Sequence, residues 1–150
     1  MDYQNIISQL PYTKPFLFVD ELEHVDENGS KGSYTFSGDA DFYKGHFKNN
    51  PVTPGVILTE CCAQIGVVCL GIFLLAGDSD FSTCDLKIGL SSSEMEFLLP
   101  VLPNEKVTVK SKKLYFRFHK LKCEVKMYSS EGKLICKGTI AGMIKAERNA

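Results

Sequence analysis

The chain has 150 residues, 44% of them hydrophobic and 23% charged, with a formal net charge of −1. That length suits a single domain spanning 1–150 with a core of its own. The charge balance excludes any global attraction to nucleic acid or to an anionic membrane, and the absence of tryptophan removes one platform for stacking bases, leaving Phe and Tyr.

Met1-Asp2-Tyr3-Gln4-Asn5 has neither the basic block nor the long apolar block of a secretory signal, so a cytoplasmic location is expected. Six cysteines stand at 61, 62, 69, 84, 123 and 136, with no Cys-x-x-Cys pair and no histidine at zinc-ligand spacing. They read as reduced structural thiols, three of them inside the most apolar segment. Nucleophilic work by Cys61 or Cys62 lacks an adjacent base to form the thiolate.

Residues 3–10 suit a short helix with Ile6, Ile7 and Leu10 on one face, stopped by Pro11. Pro15-Phe16-Leu17-Phe18-Val19 is rich in aromatic and β-branched residues and reads as a strand running on to Val25. Asn28-Gly29 is a hairpin turn signal, and Ser33 to Phe36 alternates as the returning strand. Gly38 to Asn50 reads as a loop.

From Gly55 to Ala76 only Thr59, Glu60 and Gln64 are clearly polar. Thr53 and Pro54 are helix-start signals, and Gly77-Asp78 is a stop. A membrane span needs about 20 apolar residues. Glu60 and Gln64 interrupt this one and would be costly in lipid, so a buried core helix is expected. Strands are expected at 84–97, 105–117, 121–129 and 133–145, with 146–150 a frayed tail. One helix apolar on all sides needs cover on all sides. A curved antiparallel sheet wrapped round it supplies most of that cover, giving an α+β fold. The uncovered side points to a dimer.

The chemistry concentrates at the start of this helix. Glu60 and Gln64 are four apart and share a face, so the Gln64 amide can orient the Glu60 carboxyl. Apolar neighbours should raise the pKa of Glu60 and keep it able to donate a proton. His46, on a loop after Gly45, suits a general base. Gly55 lies in the first helical turn, where N–H groups lack intrahelical acceptors and a substrate carbonyl could approach. Together these suit proton removal beside a carbonyl coupled to loss of a leaving group, which is a β-elimination. Each residue also has an ordinary role: a loop histidine at the surface, a glutamate serving the helix dipole.

Gly45-His46-Phe47, Pro51, Pro54-Gly55-Val56, Glu60 and Gln64 resemble in order and spacing the signature of the 3-hydroxyacyl-ACP dehydratases of the FabZ and FabA type. Leu10-Pro11-Tyr12, Pro15 to Asp20, and Phe97, Pro100-Val101 and Pro103 are similar to further segments of that family, so nearly the whole chain is covered. The acid is Glu, as in the FabZ branch. The resemblance implies a hot-dog fold working as a homodimer, or as a trimer of dimers, with His46 of one subunit facing Glu60 of the other. It implies that His46 takes the α-proton of a (3R)-3-hydroxyacyl thioester and Glu60 protonates or positions the departing hydroxyl. Gly55 N–H would hold the thioester carbonyl, Val52 carbonyl would orient His46, and Gln64 would support Glu60. No metal or redox cofactor is implied. The substrate arrives on the phosphopantetheine of an acyl carrier protein, in fatty-acid synthesis or in a related polyene or polyketide-like lipid pathway. Acyl-thioester hydrolysis and a non-catalytic acyl-binding subunit are the alternatives on the same fold.

Three departures stand out. Lys48-Asn49 replaces the family's Pro-Gly, which should alter loop stiffness beside His46. Glu96, Leu98 and Leu99 replace basic residues expected to meet the carrier, while Lys106, Lys110, Lys112, Lys113, Arg117, Lys120, Lys122 and Lys126 crowd two strands, as a docking patch or a solvated face. His119 stands where small hairpin residues are expected.

Overall fold

The computed structural model describes residues 3–76 and 84–148. A short helix, α1 (Tyr3–Ser8), precedes the hairpin β1 (Glu21–Asp26) and β2 (Gly29–Thr35). A one-turn helix, α2 (Phe42–Gly45), lies inside the segment expected to be loop. The central helix α3 runs from Gly55 to Ala76 over 22 residues. Four long strands follow: β3 (Cys84–Phe97), β4 (Lys106–Arg117), β5 (Lys120–Ser129) and β6 (Leu134–Arg148). All pair antiparallel in one sheet of order β1-β2-β4-β5-β6-β3.

The inward residues of each strand pack on α3. Val107, Val109, Leu121, Val125 and Ile140 from the sheet, and Ile65, Leu70 and Ile72 from α3, are all essentially inaccessible. Burial of such a side chain is worth roughly 1.5–3 kcal/mol. By length and composition α3 could cross a membrane, yet 72% of its most apolar window is buried inside the protein, so it is the core.

Two expectations need correction. Pro15 to Val19 is not a strand. Phe18 and Val19 do face the core, but the backbone of the run finds partners outside any ladder: Phe18 N–H donates to Gln64 Oε1 at 2.8 Å, and Phe16 carbonyl accepts from Gln64 Nε2 at 3.0 Å. The side-chain amide occupies the place a neighbouring strand would take. The tail is also shorter than expected, because pairing with β3 carries β6 on to Arg148.

The middle of α3 is wound more loosely than an α-helix. Across Gln64–Val68 it makes a π-turn, with Cys69 N–H donating to the Gln64 carbonyl five residues back. Ser30 Oγ of β2 donates to the Ile65 carbonyl in this turn at 2.7 Å. Widened turns of this kind often sit beside functional groups.

The β4–β5 hairpin turns through Phe118 and His119, both left-handed, with φ of 52° and 62°. That geometry suits a two-residue turn whose usual occupants are Asn-Gly. A left-handed residue with a Cβ costs roughly 1–2 kcal/mol, and the Phe118 side chain recovers nothing by burial, being 89% exposed. Replacing the pair by Phe118→Asn with His119→Gly should therefore stabilise the protein by about 1–2 kcal/mol. A rise in the denaturant midpoint with unchanged slope would show it; no rise would mean that the turn is relaxed by other contacts.

Candidate active site

α2 and the segment just before α3 together position the histidine. His46 caps α2, its N–H donating to the Phe42 carbonyl. It is tied to Val52 at two points: Val52 N–H donates to the His46 carbonyl at 3.0 Å, and His46 Nδ1 lies 2.9 Å from the Val52 carbonyl. A carbonyl can only accept, so Nδ1 carries a proton, and in the neutral ring Nε2 then presents the lone pair. The ring also stacks on Phe47, with centroids 3.8 Å apart. Buried Thr53 locks the far end of the loop, through Tyr43 hydroxyl and through its own N–H to the Val101 carbonyl.

Lys48-Asn49 forms the tip of a tight turn. Phe47 and Asn50 exchange both backbone hydrogen bonds at 2.9 Å, and Asn49 takes a left-handed φ of 60°. Asparagine tolerates that region better than most residues. The stiffness that Pro-Gly would supply is thus replaced by a closed pair of backbone hydrogen bonds and an Asn in the glycine's slot.

Glu60 lies one turn before the widened part of α3. Gln64 Nε2 donates to Glu60 Oε2 at 3.0 Å, as the four-residue spacing predicts. Gln64 is fully buried, and its two amide hydrogens and its oxygen are all engaged, by Glu60, Phe16 and Phe18. A buried amide left unpaired would cost about 1–3 kcal/mol; here it is a fixed post for the carboxyl. Burial pushes the Glu60 carboxyl above its ordinary value, against the hydrogen bond from Gln64, which pulls it down. Glu60 opens into a cavity of about 150 Å³. Tyr12 and Phe16 stand beside it at the mouth, and Val67, Val68, Ile140 and Ile144 form a buried apolar floor. Burial, and then Glu60 itself, push the Tyr12 phenol up to about 12, so it stays a neutral donor.

Gly55 is the first residue of α3, and no side chain caps that end. The Phe97 ring packs so closely that a Cβ here would meet it at 3.2 Å. Gly55, Phe97, Leu98 and Leu99 border a second, shallower hollow. Gln64, Glu60 and the Tyr12–Phe16 segment thus form one cluster, while His46 and Val52 form another. His46 does not line the Glu60 cavity, and no hydrogen bond joins His46 to Glu60 among the described residues.

The other polar features sort out simply. Cys61, Cys62, Cys69, Cys123 and Cys136 are buried free thiols. Burial holds Cys61 well above the usual thiol range, and a hydrogen bond with Cys136 together with burial does the same for Cys62. Neither suits a nucleophile. No group of three or more metal-ligating side chains occurs among the described residues. Lys113 shares the inward row of β4 and pairs with buried Cys123, but Lys31, Lys110, Lys126 and Lys137 stand directly opposite one another across four strands on the sheet's outer face.

Six antiparallel strands wrapped round one buried helix, with polar groups gathered at its first turns, define a hot-dog protein. Residues 10–145 match the FabA-like domain, and the chain belongs to that family. It is 29% identical over 148 residues to the 3-hydroxyacyl-[acyl-carrier-protein] dehydratase FabZ of Ehrlichia canis, covering 95% of this chain and 94% of that one. It is 30% identical over 144 residues to the FabZ of a Wolbachia from Brugia malayi, covering 94% of each. Among solved structures, the dehydratase heterocomplex ApeI:P of Xenorhabdus doucetiae superimposes with a TM-score of 0.74 at 14% identity, over 96% of this chain and 91% of that one. A mutant thioesterase of Pseudomonas aeruginosa gives 0.66 at 13% identity, over 97% and 95%. At such identities the structural likeness shows the fold alone.

Proposed function

We propose that this chain is a (3R)-3-hydroxyacyl-[acyl-carrier-protein] dehydratase, forming the trans-2-enoyl thioester and water. The observation that carries the reading is Glu60: a carboxyl anchored by a fully engaged Gln64, raised by burial, and open to an apolar cavity. A carboxyl kept partly protonated in such a setting can act as an acid.

The residues divide the work as follows. His46 Nε2 takes the proton from the α-carbon, and the Val52 carbonyl stabilises the imidazolium through Nδ1–H. The C–H electron pair becomes the α,β double bond as the β-carbon–oxygen bond breaks. Glu60 gives its proton to the departing hydroxyl, which leaves as water. Exchange with solvent then returns a proton to Glu60 and removes one from His46. The Gly55 N–H, at a helix start that no side chain caps, holds the thioester oxygen as negative charge develops on it. The reaction as written balances without a redox group.

The separation of the two clusters supports a site shared by two copies, His46 from one and Glu60 from the other. The long edge strand β3 supports the same reading, since no strand pairs with its outer side among the described residues and Leu90 is 60% exposed. Such an edge is normally covered or paired. The acyl group would come on an acyl carrier protein in the cytoplasm. The test is incubation with a 3-hydroxyacyl thioester. Formation of the trans-2-enoyl product supports dehydration; release of free thiol with no enoyl product would instead assign thioester hydrolysis.

A further inference from the structure

The cavity under Glu60 has one cause that can be named. Along β6, Ile140, Gly142 and Ile144 alternate onto the inward face, and all three line the cavity. Across the sheet, Gly142 pairs with Leu121 of β5 on one side and Leu90 of β3 on the other. The inward row at this level therefore reads Leu, Gly, Leu, and the row along the strand reads Ile, Gly, Ile. Both rows are interrupted at the same residue. A Cβ built on Gly142 would lie 3.5 Å from Val67 Cγ1 of α3 and 3.5 Å from the Gly89 carbonyl oxygen of β3, ordinary contacts with no collision. Backbone geometry does not call for glycine there either: among the described residues Gly132 is the glycine with positive φ. A glycine inside a strand weakens it and packs nothing. What its absent side chain provides is space.

That space is blind. Its floor residues Val67, Ile140 and Ile144 are almost fully buried, whereas Phe16 and Leu90 at its rim are exposed. Its volume, about 150 Å³, is close to that of an apolar cavity that holds a benzene molecule. A hydrocarbon tail whose β-carbon sits at Glu60 can extend a few carbons and then meets the wall of β6.

We propose that Gly142 sets the acyl-length limit of this site, making the chain selective for short or compact 3-hydroxyacyl thioesters over long ones. The proposal rests on the dehydratase reading for its substrate. Filling the gap by Gly142→Val inserts an isopropyl group into the tail's position without touching His46, Glu60 or Gln64. The added Cβ meets only ordinary contacts, and a β-branched residue suits a strand better than glycine.

The experiment compares dehydration of four-, eight- and sixteen-carbon 3-hydroxyacyl thioesters by the parent chain, Gly142→Ala and Gly142→Val. The parent should handle the two shorter substrates comparably and the longest about tenfold or more worse. Gly142→Val should keep the four-carbon activity and lose roughly tenfold or more on the eight-carbon substrate, with Gly142→Ala between them. Retained four-carbon turnover shows that the variant is folded. In parallel, benzene should raise the melting temperature of the parent and not of Gly142→Val, which reads the cavity without any chemistry. Coincident length profiles for all three chains would overturn the role of Gly142, as would unchanged benzene binding in the Val variant. Absence of dehydration at every length would overturn the dehydratase reading and remove the acyl assignment with it.

Discussion

Glu60→Gln should lower the dehydration rate by about 10²–10⁴-fold, the range ascribed to a positioned acid or base, while leaving the fold intact. The variant amide keeps an oxygen to accept the bond from Gln64 Nε2 that now ends on Glu60 Oε2. Nothing else in the cluster loses a partner, so a lost rate cannot be blamed on a collapsed Gln64 network. The pH dependence separates the chemical role from a structural one. Burial raises the Glu60 pKa in the folded protein, against an unfolded value of about 4.3. Folding therefore favours the protonated form. The native state holds this advantage at pH below the unfolded value and loses it as pH rises through the raised folded value. Gln does not ionise, so at neutral and alkaline pH the variant should be no less stable than the parent. The parent's rate should also fall as pH rises through that same raised value, because an acid must be protonated to donate. An alkaline limb present in the parent, together with a melting temperature maintained in Glu60→Gln, would fit an acid at work. A variant that loses stability as well as activity at neutral pH would point to a structural carboxylate.

How this cluster came to be readable differs from residue to residue. The Glu60–Gln64 contact follows from helical spacing, and α3 itself follows from Thr53-Pro54 before a long apolar run. Both depend on neighbours in sequence, and both stand in the structure. The β4, β5 and β6 ladders were legible for a similar reason, since alternation along one strand is local. Pro15 to Val19 misled because its composition suits a strand, while its backbone partners belong to a side chain 46 or more residues away. The π-turn at Gln64–Val68 has no signature of its own in sequence; the chain around it, including Ser30 on β2, answers its carbonyl. Gly142 looks like any weak point in a strand until the register places it between Leu121 and Leu90. The only available signal was a glycine interrupting a β-branched inward row, which by itself marks a bulge as readily as a cavity.

The second large effect concerns how many chains make a site. His46→Ala should lower dehydration about as far as Glu60→Gln does, roughly 10²–10⁴-fold, because His24 pairs with Asp26 and His119 sits in the β4–β5 turn, leaving His46 the imidazole oriented by Val52. Neither single variant tells whether His46 serves the Glu60 of its own chain. Co-expression of the two variants, each with a different tag, does. With a shared site, a mixed dimer pairs the intact His46 of the Glu60→Gln chain with the intact Glu60 of the His46→Ala chain. Its other site carries both defects and is dead. Random assortment makes half the dimers mixed, so the pool should recover about a quarter of the parent rate, and the doubly tagged fraction about half. That is a rise of roughly 25-fold or more over either variant alone. A site contained within one chain predicts the reverse, since every chain in the pool then carries one defect and the mixture stays at the level of its components. The structure favours recovery: Val52 and α2 hold His46 in one cluster, Gln64 holds Glu60 in another, and no hydrogen bond joins the two among the described residues.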